Sequence, residues 1–359
     1  MPRWEVPLGS KRAKILSVLA AGAGVLVLAV RSLFSLPTAQ MDVPVTCDAG
    51  TPELPRDTPI KVLVWNVQFA AGREEFFYDG GEAVSVSEQR VEETLERIAR
   101  VLEQADADIV LLQEVDRDSR RTHRIDQHAR LLAATGYPCH VSTPYHKVRY
   151  VPHPKHEHMG RVNMHLSVYS KYRLGQATRW QLPLLDEPVH RRLFNLRRAL
   201  LEIRMPIAGG GEFALFNTHL TAFSQGDGTL LKQVRMLGKR AFEAKEAGVP
   251  LVLAGDFNSL PPGFDKGRLR SQDQHWYPED KPPVGLLFGR LQPAVTIEQY
   301  AGPDGVATHG TYGHFGDDQP DRVLDYVFHD GIEQVGFETR TQHLDISDHV
   351  PMVLTMRIP

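Results

Sequence analysis

From Ile60 to Asn66 the chain reads Ile-Lys-Val-Leu-Val-Trp-Asn, a β-branched run with polar and apolar positions alternating at its start, and this predicts a strand. Ser85-Val-Ser-Glu88 then sets a hydroxyl three residues ahead of a glutamate, as in a capping box, and apolar residues recur at helical spacing to about Ala105. Asp108-Ile-Val-Leu-Leu-Gln113 follows as a buried strand. The rhythm returns with a strand over Phe213–Asn217, a helix from about Leu230 to Ala247 and a strand over Pro250–Ala254. Strands alternating with amphipathic helices predict an α/β layered domain, and no internal repeat interrupts it.

Three stretches break this rhythm: Ala70 to Gly81, Ser142 to Gly160 and Pro261 to Gly285, each rich in glycine, proline or polar residues. All three are expected as long loops, which in a compact domain often carry function. The middle one holds His146, His153, His156 and His158 beside Tyr145 and Tyr150. These spacings match no standard zinc pattern, so a solvated lid on the substrate side is expected rather than a metal centre.

At the N-terminus, Lys11, Arg12 and Lys14 precede an uninterrupted apolar run from Ile15 to Val30, followed by Arg31 and the mixed segment Ser32 to Leu36. The run reaches the roughly 20 residues of a membrane span if Arg31 snorkels and Leu33, Phe34 and Leu36 are included. A membrane anchor over residues 1–36 is favoured over a cleaved signal, because Arg31 sits where small residues would mark cleavage and Pro37-Thr38-Ala39 matches such a site poorly. The flanking positive charge predicts an exported catalytic body, membrane-anchored, or secreted if the segment is cleaved. Residues 37–59, with five prolines, read as an extended linker, and the catalytic domain is expected over 60–359.

Composition narrows the chemistry less than the motifs do. A chain of 359 residues with 42% hydrophobic content can bury a full core. Its net charge of −3 and pI of about 6.6 supply no global positive field for a long polyanion, although Arg120, Arg121 and Arg124, or Arg191, Arg192, Arg197 and Arg198, could meet phosphates locally. Cys47 and Cys139 are the only cysteines. They are too few for a disulfide scaffold or a structural zinc site, and one disulfide in an exported body or two free thiols fit equally.

Acidic, amide and imidazole residues recur at the ends of the expected strands: Asn66, Glu114, His219, Asp256 with Asn258, Asp325, and Asp348 with His349. Singly, such residues also suit the turns that follow strands. Together they suit phosphoester hydrolysis, which needs a cation to neutralise developing charge, donors for the nonbridging oxygens and a group that deprotonates or orients water. Glu114, Asp348 and the Asn66 carbonyl provide the hard oxygens that Mg2+ prefers, and Mn2+ is a second candidate.

The motifs Trp65-Asn66-Val67, Gln113-Glu114-Val115, Asn217-Thr218-His219-Leu220, Gly255-Asp256-Phe257-Asn258-Ser259, Leu324-Asp325-Tyr326-Val327-Phe328 and Ser347-Asp348-His349 occur in the order of the endonuclease/exonuclease/phosphatase superfamily, which the chain resembles from about Ile60 to its end. The resemblance implies a four-layered α-β-β-α sandwich of the DNase I type, with the site at one end of two mixed sheets. It implies Glu114 as the principal metal carboxylate, completed by Asn66 and Asp348. Asp325 and His349 would form a carboxylate–imidazole pair, and His219, Asn258 and Asp256 a phosphate-binding and water-orienting group. Asp256 and His349 both fit the part of the base. Tyr312 and Asn163 are lesser candidates for substrate contact.

Members of this superfamily act on many phosphoesters, so the fold does not choose the substrate. Gln113-Glu114-Val115 lacks the lysine that often follows the acid in abasic-site endonucleases. With export and a membrane tether, this leans toward a phosphodiester in a lipid head group or nucleic acid. The alternatives are a phosphomonoesterase using Arg161, Arg197 and Arg198 as a basic pocket, and a silent binding module on the same fold. The latter would ordinarily have lost Glu114 or His349, and both are present. The sequence points to no protein partner.

Overall fold

The computed structural model describes residues 8–34, 38–222 and 226–359, with the side chains of 8–12 and 27–34 outside that description. In chain order the strands are β1 (Gln40–Val43), β2 (Thr46–Cys47), β3 (Ile60–Asn66), β4 (Ile109–Asp116), β5 (Cys139–Val151), β6 (Gly160–Ser170) and β7 (Ala177–Gln181). They continue with β8 (Ala199–Pro206), β9 (Glu212–His219), β10 (Leu251–Asp256), β11 (Gln292–Pro293), β12 (Asp325–Asp330), β13 (Glu333–Thr339) and β14 (Met352–Arg357). The helices used below are α1 (Leu8–Phe34), α2 (Glu88–Ala105), α3 (Gln127–Thr135), α4 (Val189–Arg192) and α5 (Thr229–Glu246).

Two seven-stranded mixed sheets result, ordered β1-β7-β8-β9-β10-β12-β11 and β13-β14-β3-β4-β6-β5-β2. Every residue of β10 is buried, as are all but Lys61 in β3, because each strand packs on both faces. One face meets the other sheet in a shared apolar core that includes Val62, Val64, Leu111, Leu201, Leu215 and Val252. The outer faces are covered by helices. Val91, Leu95, Ile98, Leu102 and Ala105 of α2, spaced three or four apart, turn toward the second sheet, while Leu230, Val234, Leu237 and Ala241 of α5 cover the first. The two mixed sheets and covering helices agree with the expected DNase I-like architecture.

Several local expectations change. Helix α2 is capped by Ser87, whose hydroxyl accepts from Arg90 N, so the box expected from Ser85 to Glu88 does not form. Residues expected as a free linker supply an edge strand to each sheet: β1 pairs with β7, and β2 pairs with β5. Short polar strands with prolines on either side suit sheet edges, where one row of hydrogen bonds needs no partner. Register sets Cys47 opposite Cys139, and the two form a disulfide. Much of the expected loop from Ser142 to Gly160 is a long hairpin of β5 and β6, in which buried residues at Val141, Thr143 and Tyr145 alternate with half-buried Ser142 and Pro144. Its histidines are therefore not one loop cluster: His146 lies in β5 and bonds Phe194 O, while His158 bonds Tyr150.

Helix α1 includes the expected apolar run, and its side chains from Ala13 to Leu26 are exposed. Among the described residues, no helix is long and apolar enough to cross a membrane, so the expected span is not borne out there.

Candidate active site

Register gathers the first part of the site. β9 and β10 run parallel with His219 opposite Asp256, and β12 runs antiparallel to β10 with Asp325 opposite Asp256. Residues paired in register project from one face, so His219, Asp256 and Asp325 form a row across three strand ends. Gly255, at φ 141°, makes this row close-fitting, because a Cβ there would lie 2.0 Å from Thr218 O. Beneath the row, Asn217 Nδ2 donates to Leu112 O and Gln113 Nε2 donates to Asn217 Oδ1 at 2.7 Å, tying the sheets together.

The facing sheet contributes the second part. The parallel pair β3 and β4 ends with Asn66 opposite Gln113, and β4 bulges against β6 between Leu112 and Val115. Glu114 sits in that bulge at φ 58°, a left-handed conformation that costs a non-glycine residue about 1–3 kcal/mol and re-aims its side chain. Asn66 spans the two sheets: Nδ2 donates to Asp256 Oδ2 at 3.0 Å while Oδ1 accepts from Gln68 N. Its main-chain oxygen accepts from Ser347 Oγ. Both ends of the Asn66 carboxamide thus orient Asp256 and the following turn.

His349 completes the cluster from the loop before β14. Its Nδ1 donates to Asp325 Oδ2 at 2.7 Å, its Nε2 lies 3.6 Å from Asp256 Oδ2, and its main-chain oxygen accepts from Trp65 Nε1. Burial alone would push this ring down, but the charges of Asp325 and then Asp256 outweigh it and hold the imidazolium well above its usual range. Burial lifts Asp256 to about 7 against the opposing charge of His349. His219 goes the other way: burial, then the positive charges of Arg198 and His349, drive it far down. Neutral His219 therefore makes no ion pair with Asp256, whose Oδ2 lies 3.2 Å from its Nε2, and its Nδ1 shares a hydrogen bond with Tyr145 OH at 3.1 Å.

Asn258, at φ 48°, donates N–H to Asp256 Oδ1 and Nδ2–H to Leu220 O. Tyr312 sets its ring edge-on to His349, with centroids 5.0 Å apart. Glu114 reaches the cluster through His219 Nδ1 at 3.7 Å, and Asp348 borders His349 in sequence. Asn163 is not brought in. Its Oδ1 accepts from His165 Nε2, within a chain of bonds through Ser142, Ser167 and His128 on the face that α3 covers.

Two half-buried carboxylates, Glu114 and Asp348, lack the partners their charge calls for. Glu114 is raised by burial and then by Asp348, whose own carboxyl is raised by burial. Among the described residues, neither meets a lysine or arginine nitrogen at ion-pair distance. Two such carboxylates offer hard oxygen to a divalent cation and fit one. Asp256, Asp325 and His349 form a second group that could hold a metal, with ligand atoms within 4.8 Å of one another. Those three are already engaged with each other and with Asn66 and His219. Arg198 is the opposite case, 6% exposed, with Nε and Nη1 unbonded and its guanidinium 5.4 Å over the Tyr145 ring.

Tyr145 and Gln68 are site residues that the strand-end motifs did not reveal. Tyr145 lies in the hairpin expected as a loop, and only the strand's register aims its hydroxyl at His219.

A solved endonuclease/exonuclease/phosphatase from Beutenbergia cavernae DSM 12333 superposes with a TM-score of 0.58 at 25% identity, covering 84% of this chain and 72% of that one. The human Nocturnin catalytic domain with bound sulfate superposes at 0.54 and 18% identity (88% and 97% covered), and a functionally unknown conserved protein from Enterococcus faecalis V583 at 0.54 and 17% (84% and 100%). The last two show the fold alone. No curated protein matches the chain by sequence. The Endonuclease/Exonuclease/phosphatase family profile matches residues 63–349, an interval that holds every residue of the cluster. The chain therefore belongs to the endonuclease/exonuclease/phosphatase family, whose members are generally hydrolases of phosphoester bonds.

Proposed function

We propose that this protein hydrolyses a phosphodiester, in a lipid head group or a nucleic acid, by in-line attack of water with Mg2+. The observation that carries this reading is the unpaired guanidinium of Arg198 in the same centre as the unpaired carboxylates of Glu114 and Asp348. An anion that also carries a metal ion satisfies both.

Bound at Glu114 and Asp348, Mg2+ would neutralise charge on the phosphoryl oxygens. Asp256 takes the proton of the attacking water as the P–O bond to the leaving oxygen breaks, the departing oxyanion being protonated from solvent. Its Oδ2 accepts from Asn66 Nδ2 and lies 3.2 Å from His219 Nε2, and a carboxyl near 7 is an effective base at neutral pH. His349, held cationic by Asp325, donates from Nε2 to a nonbridging oxygen. Arg198 donates to the same phosphate through Nε and Nη1.

The test uses the full chain in detergent, because starting at Ile60 would remove β1, β2 and the disulfide. With Mg2+, turnover of bis-p-nitrophenyl phosphate above p-nitrophenyl phosphate is expected, with Asp256→Asn inactive on both. Preference for the monoester would transfer the reading to a phosphatase. Plasmid DNA and phospholipid vesicles then separate the two diester sources.

We also propose an exported body attached to a membrane through α1. The Cys47–Cys139 disulfide supports an oxidising compartment, and Ile15, Leu16, Val18, Leu19, Val25 and Leu26 of α1 are each at least 60% exposed. Recovery of the chain in the soluble fraction without detergent would refute the attachment.

A further inference from the structure

The segment after β3 is not part of any family motif quoted above, yet it reaches the metal side of the site. Gln68, Asp79 and Asp348 line one small cavity together with Tyr312 and Arg73. Gln68 is 5% exposed and its Nε2 donates to Glu74 O, but its Oε1 finds no donor. A buried carboxamide oxygen without a partner costs about 1–3 kcal/mol unless something outside the chain completes it.

Asp79 is held at this cavity by a braced loop. Its N–H donates to Phe76 O at 2.9 Å, Gly81 N donates to the same oxygen, and Phe77 N donates to Ala83 O. The Phe76 ring packs edge-on against Phe69 with centroids 4.8 Å apart. Arg73 bonds His314 O and, at 2.8 Å, Asp317 O, fastening the loop to the opposite rim. Burial first, then the charges of Asp348 and Glu114, raise the Asp79 carboxyl well above its usual range. Such a group facing a phosphate directly would repel it, so its useful neighbour is a cation. The donors are all oxygen, the chemistry of Mg2+, Mn2+ or Ca2+ rather than of zinc held by sulfur or imidazole.

We propose that Asp79 and the Gln68 carboxamide oxygen join Asp348, with which they line one cavity, in holding the cation on the metal side of the site, so that the loop from Ala71 to Gly81 supplies a further carboxylate there. The inference rests on the metal-dependent reading above and adds to it two residues for which the motifs assigned no role. It also gives the loop's bracing a purpose, since a ligand on a loose loop binds weakly.

The test measures Mn2+ binding to the full chain by titration of its electron paramagnetic resonance signal, which needs no substrate. Asp79→Asn and Gln68→Leu are each expected to weaken binding about 10- to 100-fold, as losses at a metal's supporting groups do. Glu75→Gln, a change on the same rim at a residue given no metal role, should stay within about threefold if generic charge at this distance is screened. Thermal unfolding separates metal binding from folding. Without metal Asp79→Asn should be at least as stable as the parent, because a crowded carboxylate has been neutralised, while the upward shift caused by Mn2+ shrinks. Asp79→Glu keeps the charge and should retain part of the affinity. If Asp79→Asn and Gln68→Leu bind like the parent while Glu114→Gln binds weakly, the inference fails and the metal site stands. If Glu114→Gln also binds like the parent, the metal reading itself fails.

Discussion

Replacing Asp325 by asparagine tests the central electrostatic assignment, because it keeps the shape of the side chain and removes its charge. Asp325 Oδ2 and His349 Nδ1 are 2.7 Å apart, with side chains 2% and 5% exposed. Removing one partner of a buried pair typically costs about 3–5 kcal/mol. If that loss falls on the transition state, at about 1.4 kcal/mol per tenfold, turnover drops by about 10²- to 10⁴-fold. The pH profile should change as well. Asp325 is the foremost group holding the His349 imidazolium up against burial. Without it the ring loses its proton at lower pH, so the alkaline limb of kcat moves toward acid. Stability follows the same sign. A histidine whose folded pKa is raised contributes fully below about 6.5 and loses that contribution as pH rises through the folded value, so the variant's deficit should be largest on the acid side. The assays are kcat against pH with bis-p-nitrophenyl phosphate and denaturant unfolding at several pH values. Turnover within about threefold of the parent with an unmoved alkaline limb would refute the pairing as the source of the effect.

Other predictions follow from the same contacts. Arg198→Ala should lower kcat/KM by about 10- to 100-fold, the worth of a charged hydrogen bond, while leaving the free protein as stable or more so; loss of stability with kcat/KM intact would contradict the phosphate role. The Cys47→Ser, Cys139→Ser double variant opens a link across 92 residues and should lose about 2–5 kcal/mol in denaturant unfolding, an effect that reductant should reproduce in the parent; an unchanged midpoint would exclude it. His128 is pushed down to about 3 by burial, then by the charges of Arg117 and His140. As pH falls from about 6.5, the unfolded chain takes a proton that the folded chain refuses, so stability drops by about 1.4 kcal/mol per pH unit from this group. His128→Gln should lose less between pH 7 and pH 5 than the parent does, and an equal loss would remove His128 from the explanation.

What the sequence determined by itself was local or carried in short patterns. The β-branched run of β3, the three-and-four spacing of α2 and the buried run of β4 each specify an element through side chains adjacent on one face. The strand-end motifs named His219, Asp256, Asp325 and His349, and chain order sufficed to suggest their family. Tertiary structure decided everything that depends on pairing between distant segments. The residues after Pro37 resemble a linker until β7 and β5 accept their hydrogen bonds, and the histidine-rich stretch resembles a loop until β5 and β6 zip together. Arg198 reads as one of several surface arginines, and only folding buries it without a partner beside Tyr145. Likewise Gln68 and Asp79 belong to no pattern of their own, because what distinguishes them is the cavity they share with Asp348, 269 residues beyond Asp79 in the chain. Hydrophobic period and turn chemistry act over a few residues, whereas unsatisfied charge and coordination arise where separate strands end side by side.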